Sequence, residues 1–215
     1  MSIECSLVED AGHSGIAARR RETPAGGDGR RALGYAVAEA SHDPTAGTPM
    51  PPIPVSAWLD PDWVRFIEGG VSITVASRDA ANVPTLTKGY GCRALDGEHG
   101  VRILVVGSHS VELLRDIETG GAVAAVYSEV GTHRALQLKG SGARVEIPDA
   151  ADRECARHYR ESFSRNLAAL GFAPGLLAGY FDYADDDLRV VAFVPSEAFL
   201  QTPGPRAGSK IGSAP

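Results

Sequence analysis

The chain has 215 residues, of which 43% are hydrophobic, and its formal net charge is −6 at pH 7. This length and apolar content suffice for one domain with a buried core plus flanking segments. The negative charge argues against non-sequence-specific binding to nucleic acid, which requires a basic face that neutralises phosphates. No stretch approaches the roughly 20 apolar residues that span a bilayer, and the N-terminus lacks the apolar centre of a secretory signal. The composition therefore predicts a cytoplasmic protein with no nucleic-acid or membrane partner.

The three cysteines, Cys5, Cys92 and Cys155, lie far apart in the sequence and show no CxxC spacing. An odd number of cysteines with this spacing favours neither a disulfide framework nor a structural zinc site. None of the six histidines has the spacing of a ligand set, so we expect no metal site.

The N-terminal quarter of the chain differs from the rest in composition. Residues 1–54 are rich in Gly, Pro, Ala and mixed charge, and Gly26-Gly27 and the run from Pro49 to Pro54 interrupt any periodicity. Such a segment cannot bury enough apolar surface to fold by itself. We therefore predict a disordered N-terminal arm over 1–54 and one domain with a C-terminal tail over 55–215.

Periodicity after the arm predicts a series of short elements. In chain order these are a helix from Asp60-Pro61 to Gly69-Gly70, a strand over 71–76, a turn at 78–82, a strand over 83–95, a turn at 96–100, a strand over 101–106 and a helix from Ser108 or Ser110 to Gly120-Gly121. Asp60 can cap the first helix, and Pro61 suits its first position.

The segment from Gly120 to Val145 pairs two β-patterned runs through a polar turn, Thr132-His133-Arg134. It is followed by a helix from Asp149 to Gly171, a short helix that starts at Pro174, and a strand over 188–194. The order is helix, three strands, helix, two strands, two helices, strand. Antiparallel hairpins with inserted helices favour a closed or half-closed barrel over a doubly wound sheet.

This arrangement resembles the pyridoxamine 5′-phosphate oxidase-like family of FMN-binding split barrels, over roughly residues 58–211. The resemblance is carried by VSITVASRDAANVPTLTKGYG, VRILVVGSHSVELLRDIETGGAVAAVY, THRALQLKG and QTPGPRAGSKI. It implies a mainly β fold, a six-stranded antiparallel split barrel with α-helices. It also implies a homodimer with FMN at the subunit interface, where basic and hydroxyl side chains of the second and third strands and the following helix meet the phosphate.

The resemblance points first to the second strand, where Thr85, Thr87 and Lys88 are candidate cofactor contacts. Thr87 falls where the oxidases have an arginine, with Lys88 beside it. Lysine can replace the charge, but as a point charge rather than a bidentate fork. Neighbours in a strand face opposite sides, so only one of Thr87 and Lys88 can point inward unless the strand is bulged, and the alternative for Lys88 is solvent.

The stretch after the third strand departs from the family. The oxidases carry a Ser-Arg-Lys run that binds phosphate, and this chain has Val111-Glu112-Leu113. Glu112 would repel a dianionic phosphate. Either Ser108, His109, Ser110 and the first N–H groups of the helix bind the phosphate, or the phosphate site is lost.

The polar turn supplies the remaining candidates. Arg134 matches a family arginine that precedes the fifth strand and is the leading candidate anion contact, and Gln137 follows it in the same run. His133 is either a hydrogen-bonding partner of a flavin or substrate, or an exposed turn residue without a chemical role. Arg206 and Lys210 in the C-terminal segment could close over a ligand.

The catalytic residues cannot be assigned from sequence motifs. No GxSxG, P-loop or Rossmann glycine motif occurs in a suitable setting, which disfavours hydrolases and nucleotidases. A flavin carries its own chemistry and needs few catalytic side chains. The leading hypothesis is an FMN-binding oxidoreductase acting on an unidentified small molecule. The alternative is a non-catalytic flavin- or haem-binding split-barrel protein, which Glu112 and the absent Ser-Arg-Lys run favour.

Overall fold

The computed structural model of the chain describes residues 59–95 and 100–211. The predicted arm, 1–54, and most of the predicted turn at 96–100 lie outside the described residues. The elements in chain order are α1 (Pro61–Ile67), β1 (Ser72–Arg78), β2 (Pro84–Ala94), β3 (Val101–Val106), α2 (Val111–Gly120), β4 (Val123–Ser128), β5 (Ala135–Glu146), α3 (Ala150–Ala169), α4 (Pro174–Tyr180) and β6 (Leu188–Leu200). In this part of the chain no helix is long and apolar enough to cross a membrane.

The six strands form a closed antiparallel barrel in the order β1-β2-β3-β6-β5-β4. This confirms the predicted element order and the six-stranded split-barrel class. The interior is filled by side chains that point inward from the strands, such as Ile73, Ile103, Tyr127 and Leu138, all of which are fully buried. Inward-facing residues alternate with outward-facing ones along every strand of a small barrel, and the inward-facing side chains fill its interior.

Helix α3 packs on the outside of the barrel, against β2 and β3. Its buried face carries Tyr159 and Phe163, and the Tyr159 hydroxyl donates a 2.9 Å hydrogen bond to the Val71 carbonyl oxygen. At Gly70 the approach is so close that a Cβ would lie 2.6 Å from the Phe163 backbone nitrogen. Only glycine therefore lets the chain enter β1 beneath α3.

A buried carboxylate joins α3 to the sheet. Asp152 is fully buried and accepts hydrogen bonds from Arg93 at 2.6 Å and from Arg102 at 2.7 and 3.1 Å. It also completes a capping box with Asp149 at the start of α3. Arg102 in addition contacts Glu146 on β5. These contacts link α3, β2, β3 and β5 through one charged cluster.

Two predicted features are corrected by the structure. The last strand runs from Leu188 to Leu200 instead of ending at Val194, because register shifts let its second half keep pairing with β5 past Pro195. The apolar stripe of Tyr159, Phe163 and Leu167 in the helix sequence predicts that Leu170 also faces the core, but Leu170 is 49% exposed because α3 ends at Ala169. The C-terminal segment also folds back on β6, where Ile211 N donates to Ala198 O at 2.8 Å.

Candidate functional site

Five of the predicted contact residues meet at one end of the barrel, where α2 begins. We call this set the helix-end site: Thr85, Thr87, Ser108, His109 and Ser110. Because Thr85 and Thr87 pair with the buried residues Ser77 and Val75 of β1, they face the barrel interior rather than the outside. The Thr87 Oγ1 and Ser110 Oγ atoms are 2.7 Å apart, and Thr85 Oγ1 donates to Asp116 Oδ2 at 3.0 Å. A cavity of about 380 Å³ opens beside them.

The start of α2 offers free donors to this cavity. Ser110 is the N-cap residue, yet its side chain makes no capping hydrogen bond and contacts Thr87 instead. The first N–H groups of a helix lack intrahelical partners and carry a partial positive charge. Hydroxyl groups and helix N–H groups together are the donors that a phosphate or another anion requires.

The charge at the helix-end site is negative. Asp187 accepts hydrogen bonds from the Ser108 hydroxyl at 2.5 Å and the Ser108 N–H at 3.0 Å, and the hydroxyl bond is the main reason that the Asp187 pKa is lowered. Glu112 lines the same cavity. Of the described residues that line it, only His109 has a basic side chain. A dianionic phosphate at this site therefore needs a cation from elsewhere.

Arg134, the leading candidate anion contact, lies in a second site around the turn before β5. We call this the turn site: Trp63, His133, Arg134, Gln137 and Arg206. The Arg134 guanidinium stacks on Trp63 and Phe66, with its central carbon 4.1 and 4.7 Å from the two ring centroids. A guanidinium that stacks on a ring can still donate hydrogen bonds in its own plane. Among residues 59–95 and 100–211, no carboxylate forms an ion pair with Arg134.

The other members of the turn site differ in their contacts. His133 is exposed and adopts a left-handed conformation, with φ of 59°, at the tip of the turn. Gln137 accepts a 3.2 Å hydrogen bond from Gln201. Trp63, Arg134 and Arg206 line a cavity of about 470 Å³. Lys210, which we expected near a ligand together with Arg206, instead pairs with Glu197 at 2.8 Å.

The two sites lie at opposite ends of the barrel in one chain. Thr85 pairs with Ser77 near the end of β1, whereas Ala135, next to Arg134, lies level with Ser72 at its beginning through β4. Five residues of strand separate the levels of Thr85 and Ala135, which is about 17 Å at ~3.3 Å per residue. Thr87 pairs with Val75, so three residues, or about 10 Å, separate its level from that of Ala135. Within one chain the Arg134 guanidinium lies on Trp63 and Phe66 and forms no hydrogen bond with the hydroxyl groups at the start of α2.

Lys88 belongs to neither site. It pairs with Thr74 on the outer face of the sheet and lines a separate groove beside α3 and α4. Thr87 and Lys88 thus point to opposite sides of β2, as expected for neighbours in a strand.

Two residues of these sites were missed by the sequence analysis. Asp187 contacts Ser108, which is 79 positions away in the sequence, and Trp63 contacts Arg134 from helix α1. No local sequence pattern predicts either contact, because both depend on how the barrel closes. The only available signal was the aromatic residue at position 63 on the short first helix.

The fold and the two sites define a six-stranded split-barrel protein with a hydroxyl-lined cavity at one end of the barrel and an arginine–aromatic cluster at the other. Neither a scan of protein-family models nor a search of curated proteins gives a match.

Several solved structures are similar to the chain. HupZ from Group A Streptococcus is 14% identical with a TM-score of 0.43, over 70% of this chain and 100% of that chain. The heme storage protein HutZ from Vibrio cholerae is 16% identical with a TM-score of 0.37, over 66% and 94%. A Clostridium acetobutylicum protein related to general stress protein 26, of the pyridoxinephosphate oxidase family, is 12% identical with a TM-score of 0.35, over 59% and 76%.

Proposed function

We propose that the protein is a homodimeric FMN-binding oxidoreductase that acts on a small organic molecule, with FMN held between the two subunits. The observation that carries this proposal is the division of the anion-binding groups between the two ends of the barrel. Among the described residues, the helix-end site has hydroxyl and N–H donors but no permanent cation, and no carboxylate forms an ion pair with the arginine of the turn site. A second subunit whose turn site faces the helix-end site of the first would complete both.

The fit to FMN follows from these donors. The phosphate would be held by Ser110, Thr87 and the first N–H groups of α2. Arg134 of the second subunit would supply a positive charge that offsets the negative charges of Glu112 and Asp187. Trp63 presents an aromatic face next to that arginine. A bound flavin would itself accept a hydride or electrons, so the described side chains need only position it and its substrate.

One face of the barrel suits a homodimer contact. On the outer side of β1 and β4 lie the small, partly buried side chains of Thr74, Ala76, Ala124 and Val126. In the described part of the chain the main helix contacts fall on β1, β2, β3 and β5, which leaves the outer side of β4 open. A flat face of small residues allows two sheets to approach closely about a twofold axis.

We expect the protein to be a dimer by light scattering at micromolar concentration, and Val126→Lys to produce a monomer that no longer binds FMN. A lysine on this face would be buried without a partner in the dimer. The matched control is Ile147→Lys just after β5, which is 71% exposed, lines neither candidate site and should leave the dimer and FMN binding intact. A monomeric wild type would contradict both the interface and the shared site.

Glu112→Arg should tighten FMN binding about three- to tenfold, because it removes a repulsive charge from the rim of the helix-end cavity and adds an attractive one. Riboflavin lacks the phosphate and should bind the variant and the wild type equally well. Calorimetric titration with both ligands measures this. Unchanged FMN affinity would show that the phosphate does not lie at the start of α2.

A second function is favoured by the acidic groups at the helix-end site. The hydroxyl groups there lie near three carboxylates, those of Asp116, Asp187 and Glu112. A planar ligand without a phosphate would avoid the repulsion between these carboxylates and a phosphate group. The candidate is a non-catalytic split-barrel protein that binds haem or another planar molecule. The visible spectrum of freshly purified protein separates the two, since flavin and haem absorb at different wavelengths. A haem spectrum together with no FMN binding would replace the first proposal with the second.

A further inference from the structure

A groove outside the barrel has no role in the proposed flavin site. It lies between α3, α4 and the outer side of β1 and β2, with a volume of about 450 Å³. Its floor is formed by Phe163, Leu167 and Leu177, which are buried, and its rim by Phe172 and Leu176, which are 42% and 61% exposed. We call it the Lys88 groove.

Lys88 is the only charged side chain among the described residues that line the groove. It is exposed, and within the described ranges it forms no ion pair. An ammonium group beside an apolar cavity complements a ligand that carries one negative charge and an apolar body.

Two glycines of α4 leave part of the groove unfilled. Gly175 and Gly179 are one helical turn apart and both line the cavity, and a Cβ added at either would meet no atom within 4 Å. Glycine weakens a helix relative to alanine or leucine, so neither position is occupied by the residue that would best stabilise α4. The bare helix backbone lets a ligand lie directly against it.

We propose that the Lys88 groove binds a small carboxylic acid with an apolar tail, with the carboxylate at Lys88 and the tail against Phe163, Leu167 and α4. The cavity is concave and of the size that holds a small molecule, whereas a protein partner requires a broader surface. The single cation at the rim selects an anionic head group. This site is independent of the proposed flavin site, because none of its lining residues belongs to the helix-end site or to the turn site.

The test is calorimetric titration of the full chain with hexanoate, decanoate and decanol. We expect saturable binding of decanoate, affinity that rises about fourfold per added methylene until the groove is full, and about fivefold weaker binding of decanol. Lys88→Met should remove the difference between decanoate and decanol. Absence of saturable decanoate binding, or an unchanged preference for decanoate in Lys88→Met, would overturn the proposal.

Gly179→Leu distinguishes loss of binding caused by filling the groove from loss of binding caused by damage to the fold. Leucine at this position should abolish decanoate binding by occupying the groove while raising the melting temperature, since it improves the helix and its Cβ meets no atom within 4 Å. The matched control is Ala178→Leu, an exposed position of the same helix that does not line the groove, and it should leave binding unchanged. Full decanoate binding by Gly179→Leu would overturn the proposal. A fall in molecular mass with Gly179→Leu would do the same, because it would assign the groove to a second copy of the chain.

Discussion

Replacing Asp152 by alanine is expected to lower the free energy of unfolding by about 3–5 kcal/mol, because the change breaks a buried ion-pair cluster. Asp152 is fully buried, and Arg102 approaches it through two guanidinium nitrogens while Arg93 contacts the same carboxylate. Its loss leaves both arginines with fewer partners at the junction of α3 with the sheet. It also removes half of the capping box at Asp149. Urea denaturation followed by circular dichroism measures the change.

A matched control lies two residues further along α3. Glu154 pairs with Arg157 within the helix, and both side chains are largely exposed. Exposed pairs contribute little, so Glu154→Ala should cost less than about 1 kcal/mol. Equal losses for Asp152→Ala and Glu154→Ala would show that the buried cluster does not hold α3 to the barrel.

The ionisation of the same carboxylate makes the free energy of unfolding depend on pH. Burial raises the pKa of Asp152, but the hydrogen bonds from Arg102, the Asp149 N–H and Arg93 outweigh it, and the pKa lies below the ordinary value. The stabilisation is therefore fully present above the unfolded-state pKa of about 3.9 and is lost as the pH falls through the lower folded-state value. The free-energy difference between wild type and Asp152→Asn should be constant above about pH 5 and shrink below about pH 4.

Replacing Arg134 by methionine is expected to weaken FMN binding about 10- to 100-fold, because a charge-assisted contact with phosphate contributes about 1.5–3 kcal/mol. Methionine preserves an apolar stem against Trp63 and Phe66, which Arg134 covers in the structure. Riboflavin has no phosphate and should lose much less affinity. Calorimetric titration of both ligands measures the two effects.

Two controls define the meaning of the Arg134 result. Arg134→Lys keeps the charge but not the planar fork, so its FMN affinity should lie between those of wild type and Arg134→Met. Arg206→Met alters the other arginine of the same cavity while leaving Arg134 on its aromatic partners. Equal weakening of FMN and riboflavin by Arg134→Met would indicate a contact with the ring or local damage instead of a phosphate contact.

The sequence predicts the barrel well because its strands alternate clearly. Val71 to Ala76 and the run around Leu136 and Leu138 each carry a buried face with period two, and glycines mark most helix ends. The extension of β6 to Leu200 was missed because Pro195, Ser196 and Glu197 interrupt the apolar run. There the strand is maintained by pairing with β5, which no local pattern reveals.

The candidate sites were harder to predict than the fold. The resemblance grouped Arg134 with Ser110 and Thr87, and the structure places them at different levels along the barrel. The contacts that decide the charge at Ser108 and the setting of Arg134 come from Asp187 and Trp63, distant in the chain. Residue identity and strand position therefore indicate the candidate side chains, and only closure of the barrel shows which of them lie together.

The proposed sharing of one flavin site between two subunits is tested most directly by mixing two variants. His109→Asp adds negative charge at an exposed position of the helix-end cavity, and Arg134→Met removes the cation of the turn site. Each variant alone should bind FMN poorly. Coexpressed with different tags, they form mixed dimers in which one of the two sites has both wild-type halves, so about one quarter of all sites should recover wild-type affinity. Mixed dimers that recover no FMN binding would contradict a site built from both subunits.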